Sequence, residues 1–195
     1  MLPKTRLQKL YKNGLSMMEI ANKEGLSNSG VAYLMNKYGI KRRSRSEATY
    51  VKRNPNGDPF RIKKNLSVGD LSLRGIGLGL YWGEGDKSQN TQIRMSNTDP
   101  RLIKNFREFL TKIYGVKKPK FKYSLVIFND GNEIDAIKFW KRWLGIKESQ
   151  LGKIIKIPPQ GKGTYKRKNK TGVLTLSVSN KKLKEILLKE IELLN

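Results

Sequence analysis

Apolar residues recur at helical spacing in the first part of the chain and alternate with helical runs in the rest. Leu7, Leu10 and Tyr11 share one side of a helix that stops at Asn13-Gly14, a left-handed terminator. Ser16-Met17-Met18-Glu19 reads as a capping box, with the serine at the N-cap and the glutamate three residues on. It opens a second helix that carries Met18, Ile20 and Ala21 inward and ends by Gly25. Ser27 caps a third helix whose Val31, Leu34, Met35 and Tyr38 fall at i, i+3, i+4 and i+7 before Gly39. Residues 46–69 show no apolar period. Asn54-Pro55-Asn56-Gly57-Asp58-Pro59 is turn chemistry between basic residues, so a linker is expected there.

Beyond it, Asp70 is expected to cap a long apolar helix. Thr91 to Ser96 then sets Ile93 and Met95 against Gln92 and Arg94, a strand with one wet face. Asp99-Pro100 opens a helix burying Leu102, Phe106, Phe109, Leu110 and Ile113. Phe121 to Phe128 is a strand, and Asn132 to Leu144 a helix with Ile134, Ile137, Trp140 and Leu144 inward. Ile154 to Ile157 and Val173 to Ser179 are strands, the latter with Leu174, Leu176 and Val178 inward and Thr175, Ser177 and Ser179 outward. Asn180 caps a last helix through Leu183, Ile186, Leu187 and Leu194. The pattern predicts an α+β protein with a three-helix domain over 1–45, a linker over 46–69, and an α/β sandwich over 70–195. Its helices would cover one face of a mostly antiparallel sheet.

Charge adds a partner to this picture. The chain has 41 Lys+Arg against 16 Asp+Glu, a formal net charge of +25. Residues 1–65 hold 15 basic and 4 acidic residues, leaving 26 and 12 for the remainder, so both halves are basic. An excess spread this way implies an anionic polymer, because each phosphate neutralised releases condensed counterions. There is no cysteine and no histidine, which removes disulfides, thiolate zinc sites, catalytic triads and histidine general bases. Any catalysis would fall to carboxylates, lysine and a hard cation. No apolar run is long enough to span a membrane, and Met1-Leu2-Pro3-Lys4-Thr5-Arg6 lacks a signal-peptide core. A cytoplasmic, nucleoid-associated protein is expected.

The apolar helix holds the most unusual composition, Gly75-Ile76-Gly77-Leu78-Gly79-Leu80-Tyr81-Trp82-Gly83-Glu84-Gly85-Asp86. A glycine inside a helix costs about 1 kcal/mol against alanine. Gly75, Gly79 and Gly83 lie at i, i+4, i+8 on one face, which lets a second helix approach closely and sets Glu84 and Asp86 beside it. The spacing fits neither a dinucleotide fingerprint nor a phosphate-binding P-loop.

The three N-terminal helices, with a glycine turn between the second and third, have a helix-turn-helix pattern. Gly14-Leu15-Ser16, Glu19-Ile20-Ala21, Gly25-Leu26-Ser27 and Val31 resemble the resolvase-type form over residues 5–43. In that docking mode Asn28, Ser29 and Tyr33 would face base edges, with asparagine suited to adenine. Lys37, Lys41, Arg42, Arg43 and Arg45 would meet phosphates. The stretch Gly77 to Gly85 resembles the signature helix of LAGLIDADG homing endonucleases, with Gly77 and Trp82 departing from its usual leucine and acid. The likeness covers roughly residues 70–195. It implies a homodimer packed through Gly75 and Gly79, and a Mg²⁺ ion held by Glu84 and the Gly83 carbonyl. Leu144-Gly145-Ile146-Lys147-Glu148-Ser149-Gln150 is similar to a further stretch of that family, which implies catalytic roles for Lys147 and Gln150.

The partner so implied is double-stranded DNA, met also by Gln92 and Arg94 on the wet sheet face. Lys162, Lys166, Arg167 and Lys168 would meet it from a glycine-rich basic loop. The function expected is site-specific, metal-dependent DNA cleavage. The alternatives are a transcription regulator of the same fold that binds without cutting, and an RNA-binding basic protein.

Overall fold

The structure, a computed structural model, describes residues 2–88, 91–128, 131–158 and 169–194. They form two compact units, Met1–Pro59 and Phe60–Asn195.

The first unit holds α1 (Lys4–Lys12), α2 (Met17–Glu24), α3 (Asn28–Lys37) and α4 (Arg45–Arg53). Ser16 and Glu19 close a reciprocal capping box on α2, and Ser27 accepts from the Gly30 amide to cap α3. Between them Gly25 takes φ +64°, a left-handed value that glycine adopts without cost. Leu2, Leu7, Ile20, Ala21, Val31, Leu34 and Met35 make the core. Met17 packs against it while Met18, expected inward, is exposed. At 100° per residue Met17 aligns with Ile20 and Ala21, whereas Met18 falls toward Asn22.

Helix α4 occupies part of the stretch expected to be a linker. Ser44 and Glu47 form a second capping box, the same spacing as Ser16 and Glu19. No α4 residue is buried, so the helix leaves no apolar period to read. Its Val51 packs at the turn after α1, where a Cβ on Gly14 would lie 3.0 Å from the valine methyl. The division between units falls at Pro59/Phe60, within the stretch expected to be a linker.

The second unit is α+β. Its elements run α5 (Val68–Glu84), β1 (Gln92–Asn97), α6 (Pro100–Lys112), β2 (Lys122–Phe128), α7 (Glu133–Leu144), β3 (Leu151–Ile157), β4 (Val173–Ser179) and α8 (Lys181–Glu192). The sheet order is β1-β4-β2-β3. β4 pairs antiparallel with β1 and β2, and β2 pairs parallel with β3. One core joins the inward residues of β1, β2 and β4 to those of α5 to α8, so the helices cover one sheet face. Tyr81 of α5 stacks on Phe106 of α6 with ring centroids 5.5 Å apart.

Three local expectations are corrected. Ser67, not Asp70, is the N-cap of α5; Asp70 is the acid of its capping box and also takes the Lys63 ammonium at 2.6 Å. Those hydrogen bonds, the Lys63 bond first, hold the Asp70 carboxyl well below its ordinary range. Ile134 is exposed in the first turn of α7, where Ala136 and Trp140 take the core side. Leu194 lies beyond the end of α8 and is exposed; Ile191 fills the last inward position.

Candidate functional site

Helix α5 has two unlike sides. Gly77 is buried against α6, and a Cβ there would lie 2.0 Å from Cγ of Phe109. The other side faces outward. Val68, Leu71, Ile76 and Trp82 are 85%, 53%, 48% and 48% exposed, and nothing lies within 4 Å of a Cβ placed on Gly75, Gly79 or Gly83. This is an apolar, glycine-smoothed helix face with no partner element among the described residues.

The acids at its end take separate roles. Glu84 is the last helical residue, exposed and without an ion pair among the described residues. Gly85 turns away in extended conformation and bridges Met95 at the free edge of β1. Asp86 is bound on every polar atom. Its amide donates to the Arg94 carbonyl at 3.0 Å. One carboxylate oxygen accepts from the Ser88 amide and hydroxyl, and the other lies 3.6 Å from the Arg94 guanidinium. Its carbonyl accepts from the Tyr81 hydroxyl at 3.1 Å and the Lys184 ammonium at 2.9 Å. The turn carrying Glu84 is thus held from α5, β1 and α8 together.

Lys184 was not singled out from sequence. It is 1% exposed in α8 and reaches the turn with its ammonium. Its only sequence signal is position: it sits beside Leu183 and three residues before Leu187, within the inward stripe of an amphipathic helix. Burial depresses its pKa, with Asp86 opposing and Arg94 adding to the shift.

The Tyr81 hydroxyl titrates the other way. Burial first, and the Asp86 charge second, push it up to about 12. A phenol whose pKa is raised on folding contributes stability that is complete below about pH 10 and lost as the pH rises to about 12. The burial penalty on Lys184 is full at low pH and relaxes as the pH rises toward the unfolded value of about 10.5, so this change is over where the loss from Tyr81 begins. Tyr81→Phe is expected to lower stability by about 1 kcal/mol near pH 8, through the lost bond to Asp86. It should also flatten the decline above about pH 10. Urea midpoints at about pH 8 and about pH 11 for both proteins check this; parallel declines would overturn it.

Lys147 and Gln150 do not join Glu84 within one chain. The register aligns Gly85, Met95, Leu176, Tyr123 and Leu151 across the sheet. Glu84 therefore adjoins the β1 edge and Gln150 the β3 edge, four strand spacings or about 19 Å apart along the sheet. Gln150 closes a 3-10 turn. Its side-chain Oε1 accepts from the Lys147 main-chain amide, and its side-chain Nε2 donates to the carbonyls of Lys118 and Phe121 at 2.8 and 3.2 Å. Lys147 is exposed beside it.

On the first unit, α3 presents Asn28, Ser29, Tyr33 and Lys37 outward; Ser29 shares a hydroxyl hydrogen bond with Ser27. No acid occurs from Gly25 to Ser46. Arg42 is exposed and donates to Asn36 at 3.3 Å. Arg43, read from sequence as a phosphate ligand, is instead turned into the unit, its guanidinium 3.9 Å over the Tyr11 ring. On the second unit, Gln92 donates to Ser179, and Arg94 is engaged with Asp86. Lys162, Lys166, Arg167 and Lys168 lie outside the described residues.

A magnesium ion would need more than one chain offers here. Among the described residues no three acids gather into a metal-binding group, and Asp86 already takes Arg94 and Ser88. Glu84 and the Gly83 carbonyl make a partial oxygen set at a helix C-terminus, whose dipole favours a cation. Among the described residues no helix is long and apolar enough to cross a membrane. No family model, curated protein or solved structure matches the chain.

Proposed function

We propose that this chain is a sequence-specific double-stranded-DNA-binding protein that pairs with a second copy through α5 and hydrolyses DNA at the paired helix ends. The observation that carries the reading is the exposed apolar face of α5, smoothed by Gly75, Gly79 and Gly83 and ending at an exposed carboxylate. Two such helices crossing at their glycines bring two Glu84 side chains and two Gly83 carbonyls to one place, completing the oxygen set that one chain leaves partial. A divalent ion held there supplies phosphate polarisation and an activated water. The chain supplies the carboxylate, on a turn fixed by Tyr81, Arg94 and Lys184. The helix-turn-helix reading of α2 and α3 gives the base-reading element, with Asn28, Ser29 and Tyr33 outward and an acid-free basic stretch following.

A second reading keeps the DNA binding and the pairing without cleavage. It is favoured by Gln150, whose amide is spent on main-chain carbonyls, and by the placing of Lys147 on the far sheet edge. One experiment separates the two. The protein is incubated with a random-sequence duplex library in Mg²⁺, beside a Ca²⁺ control and the Glu84→Gln variant, and cut ends and bound fraction are sequenced. Cleavage predicts ends at one shared motif that vanish in the variant while the bound motif persists. An enriched motif without ends gives the regulator, and no enrichment refutes DNA recognition altogether.

A further inference from the structure

Helix α5 offers a second copy of the chain a narrow strip of surface. At 17 residues it is about 25 Å long, and its open side is about 10 Å wide, which makes a face of about 250 Å². Stable interfaces bury about 800 Å² on each partner. Gly75, Gly79 and Gly83 let backbones approach but remove little apolar area from water. What the strip does bury is of the size that the entropy of association consumes. A patch this small is also within what single folded chains leave open.

Charge does not supply the missing attraction. No exposed residue between Val68 and Gly83 is charged. Asp70 and Arg74, the charged residues of that span, are engaged with Lys63 and Glu190 of their own chain. The first exposed charge along the strip is Glu84, which in the proposed pair meets the Glu84 of the other copy. Each copy carries +25, so two copies in free solution repel. A screening length of about 10 Å at about 0.1 M salt leaves part of that repulsion in place at contact.

We infer that the chain is unpaired in free solution and that pairing through α5 is completed only on the DNA. This rests on the reading of the chain as a DNA-binding pair joined through α5. Duplex DNA provides two things that free copies lack. Its phosphates, one negative charge per about 1.7 Å of helix axis, neutralise the excess that holds two copies apart. Two adjacent half-sites also hold the copies at an effective concentration in the millimolar range, at which a weak helix contact forms. Assembly is thereby a check on the site. Two Glu84 carboxylates and two Gly83 carbonyls come together only where two half-sites lie side by side, so an isolated half-site gathers no complete oxygen set.

Sedimentation equilibrium of the full chain without DNA is expected to show a monomer at about 10 µM in about 0.1 M salt, with a dissociation constant of about 0.1 mM or weaker. Pairing should tighten about tenfold in about 1 M salt, as the screening length falls to about 3 Å. On the duplex enriched from the random library, two copies should bind with a Hill coefficient of about 2. On a duplex trimmed to one half-site, one copy should bind, about tenfold more weakly or worse. Gly79→Leu, whose added side chain starts in open space in the single chain, should fold as the native protein does and bind both duplexes as independent single copies. A dimer at about 10 µM without DNA in about 0.1 M salt, or two copies carried onto the single half-site, overturns this inference and leaves pairing through α5 standing. One-to-one complexes that accumulate ahead of the pair on the full duplex also overturn it. Cooperative binding by Gly79→Leu would remove α5 from the pairing, and a library that enriches nothing would remove DNA recognition; in either case the functional reading fails first and this inference with it.

Discussion

Gly77→Ala is expected to destabilise the second unit by about 2 kcal/mol, while Gly79→Ala, one half-turn along the same helix, stabilises the unpaired chain by about 1 kcal/mol. The difference lies in what each Cβ meets. At Gly77 it would sit 2.0 to 2.5 Å from three carbons of the Phe109 ring, which is itself fully buried between Phe106 and Tyr114. The ring has no room to retreat, so overpacking falls at the upper end of its usual range of about 1–3 kcal/mol, and the better helix propensity of alanine offsets about 1 of it. At Gly79 the same methyl meets nothing within 4 Å, and only the propensity gain remains.

The proposed pairing through α5 would add an opposite effect at Gly79, because a methyl on the smooth face keeps two helix backbones apart. Urea midpoints measured at low and high protein concentration separate these terms, with sedimentation equilibrium reporting the oligomer directly. A neutral Gly77→Ala would show that α5 does not press on α6. A Gly79→Ala variant that associates as strongly as the native chain would remove α5 from the pairing surface.

The same helix marks where sequence pattern stops being informative. Its glycine spacing identifies a face but not which glycine is used inside the chain: Gly75, Gly79 and Gly83 form the regular series, yet Gly77, outside it, is the one in close contact. Local signals carried most of the element order, because capping boxes, N-cap asparagines and strand alternation act within a few residues. Ser16, Ser27, Asp99, Asn132 and Asn180 each cap the helix their spacing indicates. Ser44 carried the same signal with Glu47, but α4 has no apolar stripe to attract attention.

What sequence cannot supply is the order of strands. With β1 beside β4 and β3 on the opposite edge, Glu84 and Gln150 end far apart, although each sits in a stretch that reads as chemical. The burial of Lys184 is hidden for a related reason, since its acceptor, the Asp86 carbonyl, is 98 residues away. Arg43 shows the reverse error. A basic run after a recognition helix reads as a row of phosphate ligands, but one member is needed by the fold.

Arg43→Ala is expected to lower the stability of the first unit by about 2–3 kcal/mol, and so to abolish the proposed DNA binding through unfolding rather than through loss of a phosphate contact. The main-chain amide of Arg43 donates to the Tyr11 hydroxyl at 2.8 Å. Its guanidinium donates to the carbonyls of Gly14 and Leu15 at 3.3 Å, and to that of Tyr11, while lying over the Tyr11 ring. These are carbonyls of the end of α1 and the turn after it, so one side chain closes the segment following α3 onto the segment preceding α2. A unit of this size, with seven buried apolar residues in its core, has little stability in reserve. Arg43→Lys should recover only part of the loss, since an ammonium cannot address three carbonyls and an aromatic face from one position. Arg42→Ala is the matched control. That side chain is exposed and among the described residues bonds only Asn36, so its removal should leave stability within about 0.5 kcal/mol while reducing the salt dependence of the proposed DNA binding by about one phosphate. Thermal unfolding resolves the comparison: Arg43→Ala shifts the transition of Met1–Pro59 and leaves that of the sheet unit in place, because no bond of Arg43 reaches beyond its own unit among the described residues. Were Arg43→Ala to melt like the native protein and merely bind DNA with a shallower salt slope, the guanidinium would belong on a phosphate, and the close packing over Tyr11 would not be what holds α1 to the chain after α3.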